Sequence, residues 1–182
     1  YAQAEATGVR LVDVWRAQAR IAAARGDEAQ QLRLLEQLAS MGGDQSDARI
    51  DALYRMAEVQ LATRETVEAG MASLVKALAD DTRTQRAELI LRSATEMHPE
   101  HDELLDHYES VARRSDDRDA LMHYLEQRAR HPKATPEHAK EAVDLALELE
   151  DGDRAEGLML RAADIGKATM GEEGLGRIGW AL

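Results

Sequence analysis

His98, His101 and His107 lie close together among Glu100, Asp102, Glu103 and Asp106, a grouping whose chemistry would be metal ligation or acid–base work. Ligation needs donors that converge on one face. Glu103 and His107 stand four residues apart, the spacing of neighbours on an exposed helix turn. The chain contains no His-Glu-x-x-His and no Glu-x-x-His, so the metalloprotease and di-iron bundle patterns are both missing. A solvated polar face is expected for these histidines. Ser40, Ser46, Ser73, Ser93, Ser110 and Ser115 sit in no nucleophile-elbow context, and no glycine-rich phosphate loop follows a strand. Gly171, Gly174, Gly176 and Gly179 suit a frayed end or helix packing better than a phosphate cradle. Trp15 and Trp180 are expected as core or edge residues. Carboxylates abound, but a general acid needs a desolvated pocket, and no spacing marks one. The expectation is a non-enzyme without metal or cofactor.

Composition narrows the classes further. The chain has 182 residues with 35 acidic against 23 basic side chains, a net charge of −12. There is no basic excess to displace counterions from a nucleic-acid backbone, so nucleic acid is not an expected partner. Mean hydropathy is −0.50, and no apolar run is long enough to span a membrane. Absence of cysteine removes disulfides, thiol nucleophiles and cysteine-based metal sites. It does not settle the compartment, for which the cytoplasm is favoured. The Ala- and Arg-rich, Lys-poor usage suits a bacterial source.

Ala, Leu, Arg, Glu and Gln dominate, residues that lose little side-chain entropy in helices. Breaks at Gly26-Asp27, Gly42-Gly43-Asp44, Asp80-Asp81, His98-Pro99, Ser115-Asp116-Asp117, His131-Pro132 and Gly152-Asp153 divide the chain into apolar-periodic segments. About ten helices follow: 4–25, 27–40, 46–63, 65–79, 82–97, 100–114, 117–130, 136–149, 153–166 and 172–182. Connections this short force neighbouring helices to run antiparallel.

Every second helix carries one spaced signature: Ala17-Ile21-Ala24, Ala52-Met56-Val59, Ala87-Leu91-Ala94, Ala120-Tyr124-Gln127 and Ala155-Met159-Ala162. Its leading alanines are separated by 35, 35, 33 and 35 residues. Amphipathicity alone would not hold that phase over five helices. The intervening helices repeat Leu34-Leu35 with Leu38 as Leu74-Val75 with Leu78, Tyr108 with Ala112, Ala142-Val143 with Ala146, and Ile178-Gly179 with Leu182. The extra length of the first interval falls in the loop around Met41-Gly42-Gly43-Asp44-Gln45.

These residues resemble the tetratricopeptide repeat family, whose unit is an antiparallel helix pair of about 34 residues. Met71, Leu74, Val75 and Leu78 followed by Ala87, Leu91, Ala94 and Pro99 match its layout across one whole unit. The unit from Leu105 and Tyr108 to Pro132 matches less closely, with Glu109 at the small position. All copies are degenerate, and the first-helix tryptophan typical of the family is absent from the complete units. The resemblance implies an all-α, right-handed α-solenoid of antiparallel helix pairs. One array would fill 1–182, with 1–25 the second helix of a cut repeat and 27–64, 65–99, 100–132 and 136–167 complete repeats. Residues 172–182 would be the first helix of another cut repeat, so a fragment of a longer array is expected, whose terminal helices could self-associate.

The resemblance also implies a concave groove lined by first-helix side chains: Glu36, Lys76, Glu103, Asp106, Ser110, Arg113, Glu137, Lys140 and Asp144. The expected function is a non-catalytic protein–protein interaction scaffold within a larger protein. Its groove would take a partner peptide or domain, with the acidic bias favouring a basic segment. The chain has no asparagine, so the asparagine-based clamp for chaperone tails is not expected. The alternatives are a helical-bundle enzyme or metal-binding protein using carboxylates and histidines, and a structural spacer in a multidomain regulator.

Overall fold

The structure, a computed structural model, describes residues 11–41, 46–115 and 117–170. Among them are nine α-helices and no strand: α1 (Leu11–Ala24), α2 (Glu28–Ala39), α3 (Ser46–Gln60), α4 (Val67–Asp80), α5 (Gln85–Met97), α6 (Asp102–Arg114), α7 (Arg118–Arg130), α8 (Pro136–Glu148) and α9 (Gly152–Met170). A single 3₁₀ turn, Arg64–Thr66, leads into α4. The expected segments thus appear with shifted ends; α9 runs past the anticipated stop at residue 166. The expected helix over 172–182, the start of the one over 4–25, Trp180 and the terminal glycines lie outside the described residues. No described helix is long and apolar enough to cross a membrane.

Several of the breaks in the sequence correspond, among the described residues, to helix ends with identifiable caps. After α1, Gly26 adopts φ +70, and the N–H groups of Gly26 and Asp27 return to the carbonyls of Ala23 and Ala22, satisfying the last turn's orphan acceptors. Asp27 then caps α2, accepting from the Gln30 N–H at 3.0 Å. Asp117 accepts from the N–H groups of Asp119 and Ala120 at the start of α7. Pro136 opens α8, where its missing N–H costs no helix bond, and His138 Nδ1 reaches back to accept from the Thr135 N–H at 3.0 Å.

The chain divides into two compact units, Tyr1–Ile90 and Leu91–Leu182, with the division inside α5. In the first unit α1 packs on α2, α2 on α3 and α3 on α4; in the second α6 packs on α7, α7 on α8 and α8 on α9. Each unit therefore has the all-α arrangement of consecutive helix pairs found in α-solenoids. A helix pair has no way to bury its apolar stripe alone, and stacking on the next pair completes the core. Val12 and Ala19 of α1, Leu34, Leu35 and Leu38 of α2, and Ala48, Ala52 and Met56 of α3 form one such cluster. Trp15 packs against it from the side.

Ala52, Ala87, Ala120 and Ala155, the leading alanines of the last four signatures, are all buried, as are Leu91, Ala94, Tyr124 and Ala162. The first signature departs from this pattern. Ala17, Ile21 and Ala24 are exposed on α1, which buries Val12, Ala19 and Ala22 instead. The cause is positional. On α3 the signature face meets the preceding pair α1–α2, as Ala52 and Met56 show, whereas the corresponding face of α1 meets no described helix. Val75, at a small-residue position of the repeat, is also exposed, so no close helix approach forms there.

Candidate functional site

The first helix of each pair supplies the expected groove residues: Glu36 on α2, Lys76 on α4, Glu103, Asp106, Ser110 and Arg113 on α6, and Glu137, Lys140 and Asp144 on α8. All nine are exposed. In the first unit Glu36 and Lys76 line the same hollow, of about 430 Å³, whose wall includes Leu53, Met56 and Met41 together with Arg49 and Ser73. An ion pair from Arg49 to Asp80 at 2.7 Å ties α3 to α4 beside it. The hollow combines an apolar wall with both signs of charge, a combination suited to an amphipathic peptide segment.

In the second unit α6 and α8 are joined through Arg113. Its Nη1 and Nη2 donate to the two oxygens of Glu141 at 2.7 and 2.9 Å, and its Nε donates to Glu109 at 2.9 Å. Hydrogen bonds to Glu141 and Glu109 raise the arginine's pKa above its ordinary value. Burial pushes the Glu109 carboxyl up, but hydrogen bonds from Arg113 and Tyr124 and the charges of Arg113 and Arg128 outweigh it and hold the group below its usual range. Arg113 is thus committed to a bidentate bond within the protein. Asp106 lies 3.9 Å from Arg128 Nη1.

The histidines divide differently from the sequence pattern. His101 caps α6, its Nδ1 accepting from the Leu104 N–H at 3.4 Å, and no group of three or more His, Asp or Glu side chains among the described residues is placed to hold a metal ion. The buried histidines are His123 and His131, which lie apart from any cluster in the sequence. His131 Nδ1 accepts from the Lys133 N–H and its Nε2 faces Asp102 at 3.4 Å. Asp102 also pairs with Lys133, and the hydrogen bond from that lysine leads the effects that lower its pKa.

His123 lies between the Tyr108 hydroxyl, 3.2 Å from Nδ1, and Glu96, 3.1 Å from Nε2. Burial, then the nearby charge of Arg92, lowers its pKa despite Glu96 and Glu126; burial and Arg128 lower that of His138. An unfolded histidine titrates near 6.5, so below about that pH the unfolded chain binds the extra protons. This stability is complete above about pH 6.5 and is lost as pH falls toward the depressed folded values. Melting temperature should therefore drop between about pH 7 and pH 5, and the drop should be shallower in His123→Gln. Parallel slopes for the two proteins would remove His123 as its source.

Within each unit, ion pairs that periodicity of apolar residues does not reveal tie one second helix to the next. Arg86 of α5 donates to Asp51 and Glu58 of α3 at 2.7 and 3.1 Å and lies over the Tyr54 ring, 4.9 Å from its centroid. Arg154 of α9 grips Glu126 of α7 at 2.7 Å and feels the charge of Asp119. Asp51, Glu58 and Arg86 recur 68 residues later as Asp119, Glu126 and Arg154, two repeat lengths on. That charge period was readable in the sequence, but only by comparing alternate repeats. Such half-exposed pairs each contribute about 0–1 kcal/mol, so their effect is mainly on register.

No family model, no curated protein and no solved structure matches the chain.

Proposed function

We propose that the chain is a tetratricopeptide-like interaction module that holds a peptide segment or partner domain along its first-helix face, without chemistry of its own. The observation that carries this reading is the hollow of the first unit, where Glu36 and Lys76, from successive first helices, flank an apolar wall of Leu53 and Met56. The contrast between first and second helices supports it. Ion pairs join the second helices α3 to α5 and α7 to α9, as at Arg86 and Arg154, while Glu36, Lys76, Glu103, Lys140 and Asp144 stay exposed on first helices. The acidic members favour a partner with a lysine- or arginine-bearing segment.

The test is affinity capture from host lysate, comparing the natural chain with a Glu103→Lys, Asp106→Lys, Asp144→Lys variant and with Lys76→Glu. Far-ultraviolet circular dichroism would verify that the variants remain helical. A protein retained by the natural chain, released at raised salt and lost from a variant is the expected result. Retention that ignores all four reversals would place binding on another surface, and a natural chain and variants that all retain no specific protein would turn the reading toward a structural spacer.

A further inference from the structure

The seam between second helices has a different composition where α1 meets α3. At the α3–α5 seam the earlier helix presents Asp51, Tyr54 and Glu58 toward Arg86. At the α7–α9 seam Asp119, Met122 and Glu126 occupy the same places on α7. The corresponding residues of α1 are Arg16, Ala19 and Ala23. Two alanines thus stand where the other seams have a large side chain and a glutamate. A cavity of about 200 Å³ is present there, lined by Ala19, Ala23, Leu35 and Leu38 with Arg16, Arg20, Arg55 and Asp51.

Charge at the cavity is unbalanced as well. Asp51 is its single carboxylate, and that group already accepts from Arg86 at 2.7 Å and Arg55 at 3.0 Å. Burial pushes Asp51 up, but those two arginines outweigh it and hold it ionised below its ordinary range. Arg16 and Arg20 form no ion pair with any described residue. Three guanidinium groups therefore border a cavity whose remaining wall is Ala19, Ala23, Leu35 and Leu38 with Gln31 and Asp51, in a chain of net charge −12, where the equivalent seams are closed by a glutamate of the protein itself.

We infer that the α1–α3 seam is a binding site for a small carboxylate with a compact apolar body, its carboxylate between Arg16, Arg20 and Arg55 and its body against Ala19, Ala23, Leu35 and Leu38. Guanidinium groups suit this ligand because their planar donor fork matches a carboxylate. The apolar wall replaces water around the body, as Tyr54 does at the next seam. The site lies between the second helices α1 and α3, floored by Leu35 and Leu38 of α2, and uses none of the exposed first-helix residues of the partner-binding reading.

Phenylacetate is the probe, and phenylacetamide, of the same shape without the charge, is its control. Binding is followed by the arginine Nε–Hε signals in a ¹H–¹⁵N spectrum of the full chain. Saturable shifts of Arg16, Arg20 and Arg55 are expected with phenylacetate at half-saturation on the order of 1 mM, the range open to so small a ligand, and no saturable shift with the amide. Arg20→Gln should weaken binding about tenfold. Ala23→Glu, at an exposed position, supplies the missing carboxylate from within and should abolish the shifts while leaving the helical spectrum intact. Equal shifts with the amide, unchanged binding in Ala23→Glu, or no saturation by about 30 mM (well beyond that range) would each overturn the assignment.

Discussion

Replacing Tyr108 with alanine should lower the unfolding free energy by about 3–5 kcal/mol, the range for emptying a buried aromatic site. Tyr108 is fully buried in α6. Its ring meets that of Tyr124 edge-on at 5.9 Å between centroids and that of His123 at 5.8 Å. One turn of α6 and one of α7 are thus joined around one side chain, and its removal leaves a cavity that rigid neighbours fill only in part. Tyr108→Phe separates the two contributions. It keeps the packing and withdraws only the hydroxyl from His123 Nδ1, leaving a buried polar atom without that partner at a cost of about 1–3 kcal/mol. Urea unfolding of the three proteins measures both steps. A Tyr108→Phe loss as large as that of Tyr108→Ala would mean that the hydrogen bond, and not the ring, holds this region.

The same glycine-to-alanine change should have opposite signs at two helical positions. Gly157 lies on the exposed side of α9, and a Cβ there meets nothing within 4 Å. Alanine at that position should stabilise by about 0.5–1 kcal/mol through helix propensity. Gly70 on α4 has the same propensity gain available. A Cβ there, however, would stand 2.6 Å from Leu61 Cγ and 3.0 Å from the Leu61 backbone nitrogen. Leu61 is itself buried, and its backbone N–H bonds to the Ala57 carbonyl at 2.8 Å, so it has little room to retreat. Overpacking costs about 1–3 kcal/mol, which exceeds the propensity gain, and Gly70→Ala should be net destabilising. Thermal unfolding decides it: a Gly70→Ala protein that melts above the natural chain would show that α4 and Leu61 are less tightly apposed than 2.6 Å implies.

The charge-reversal and carboxylate experiments address surfaces that the sequence made visible to different degrees. Glu36, Lys76 and their fellows were named from the tetratricopeptide resemblance, and the structure shows them exposed. The α1–α3 cavity was not legible in that way. It depends on Ala19 and Ala23 lying opposite Asp51 and Arg55, residues some thirty positions away, and only the stacking of pairs brings them together. The histidines illustrate the same division. The run His98, His101 and His107 attracted notice through proximity along the chain, whereas His123 joins Tyr108 and Glu96 from three different helices.

By itself the sequence determined the all-α class, the alternation of helix pairs and most of the buried alanines. Those properties follow from local causes: propensity, caps and an apolar phase repeated often enough to specify a face. The tertiary structure decided which faces acquired neighbours. It left Ala17, Ile21 and Ala24 exposed although they carry the same signature as buried Ala87, Leu91 and Ala94. It also committed Arg113 to Glu109 and Glu141, and left Arg16 and Arg20 beside a cavity. The physical reason is that burial and ion pairing are properties of two surfaces meeting, and a period within one helix specifies only one of them.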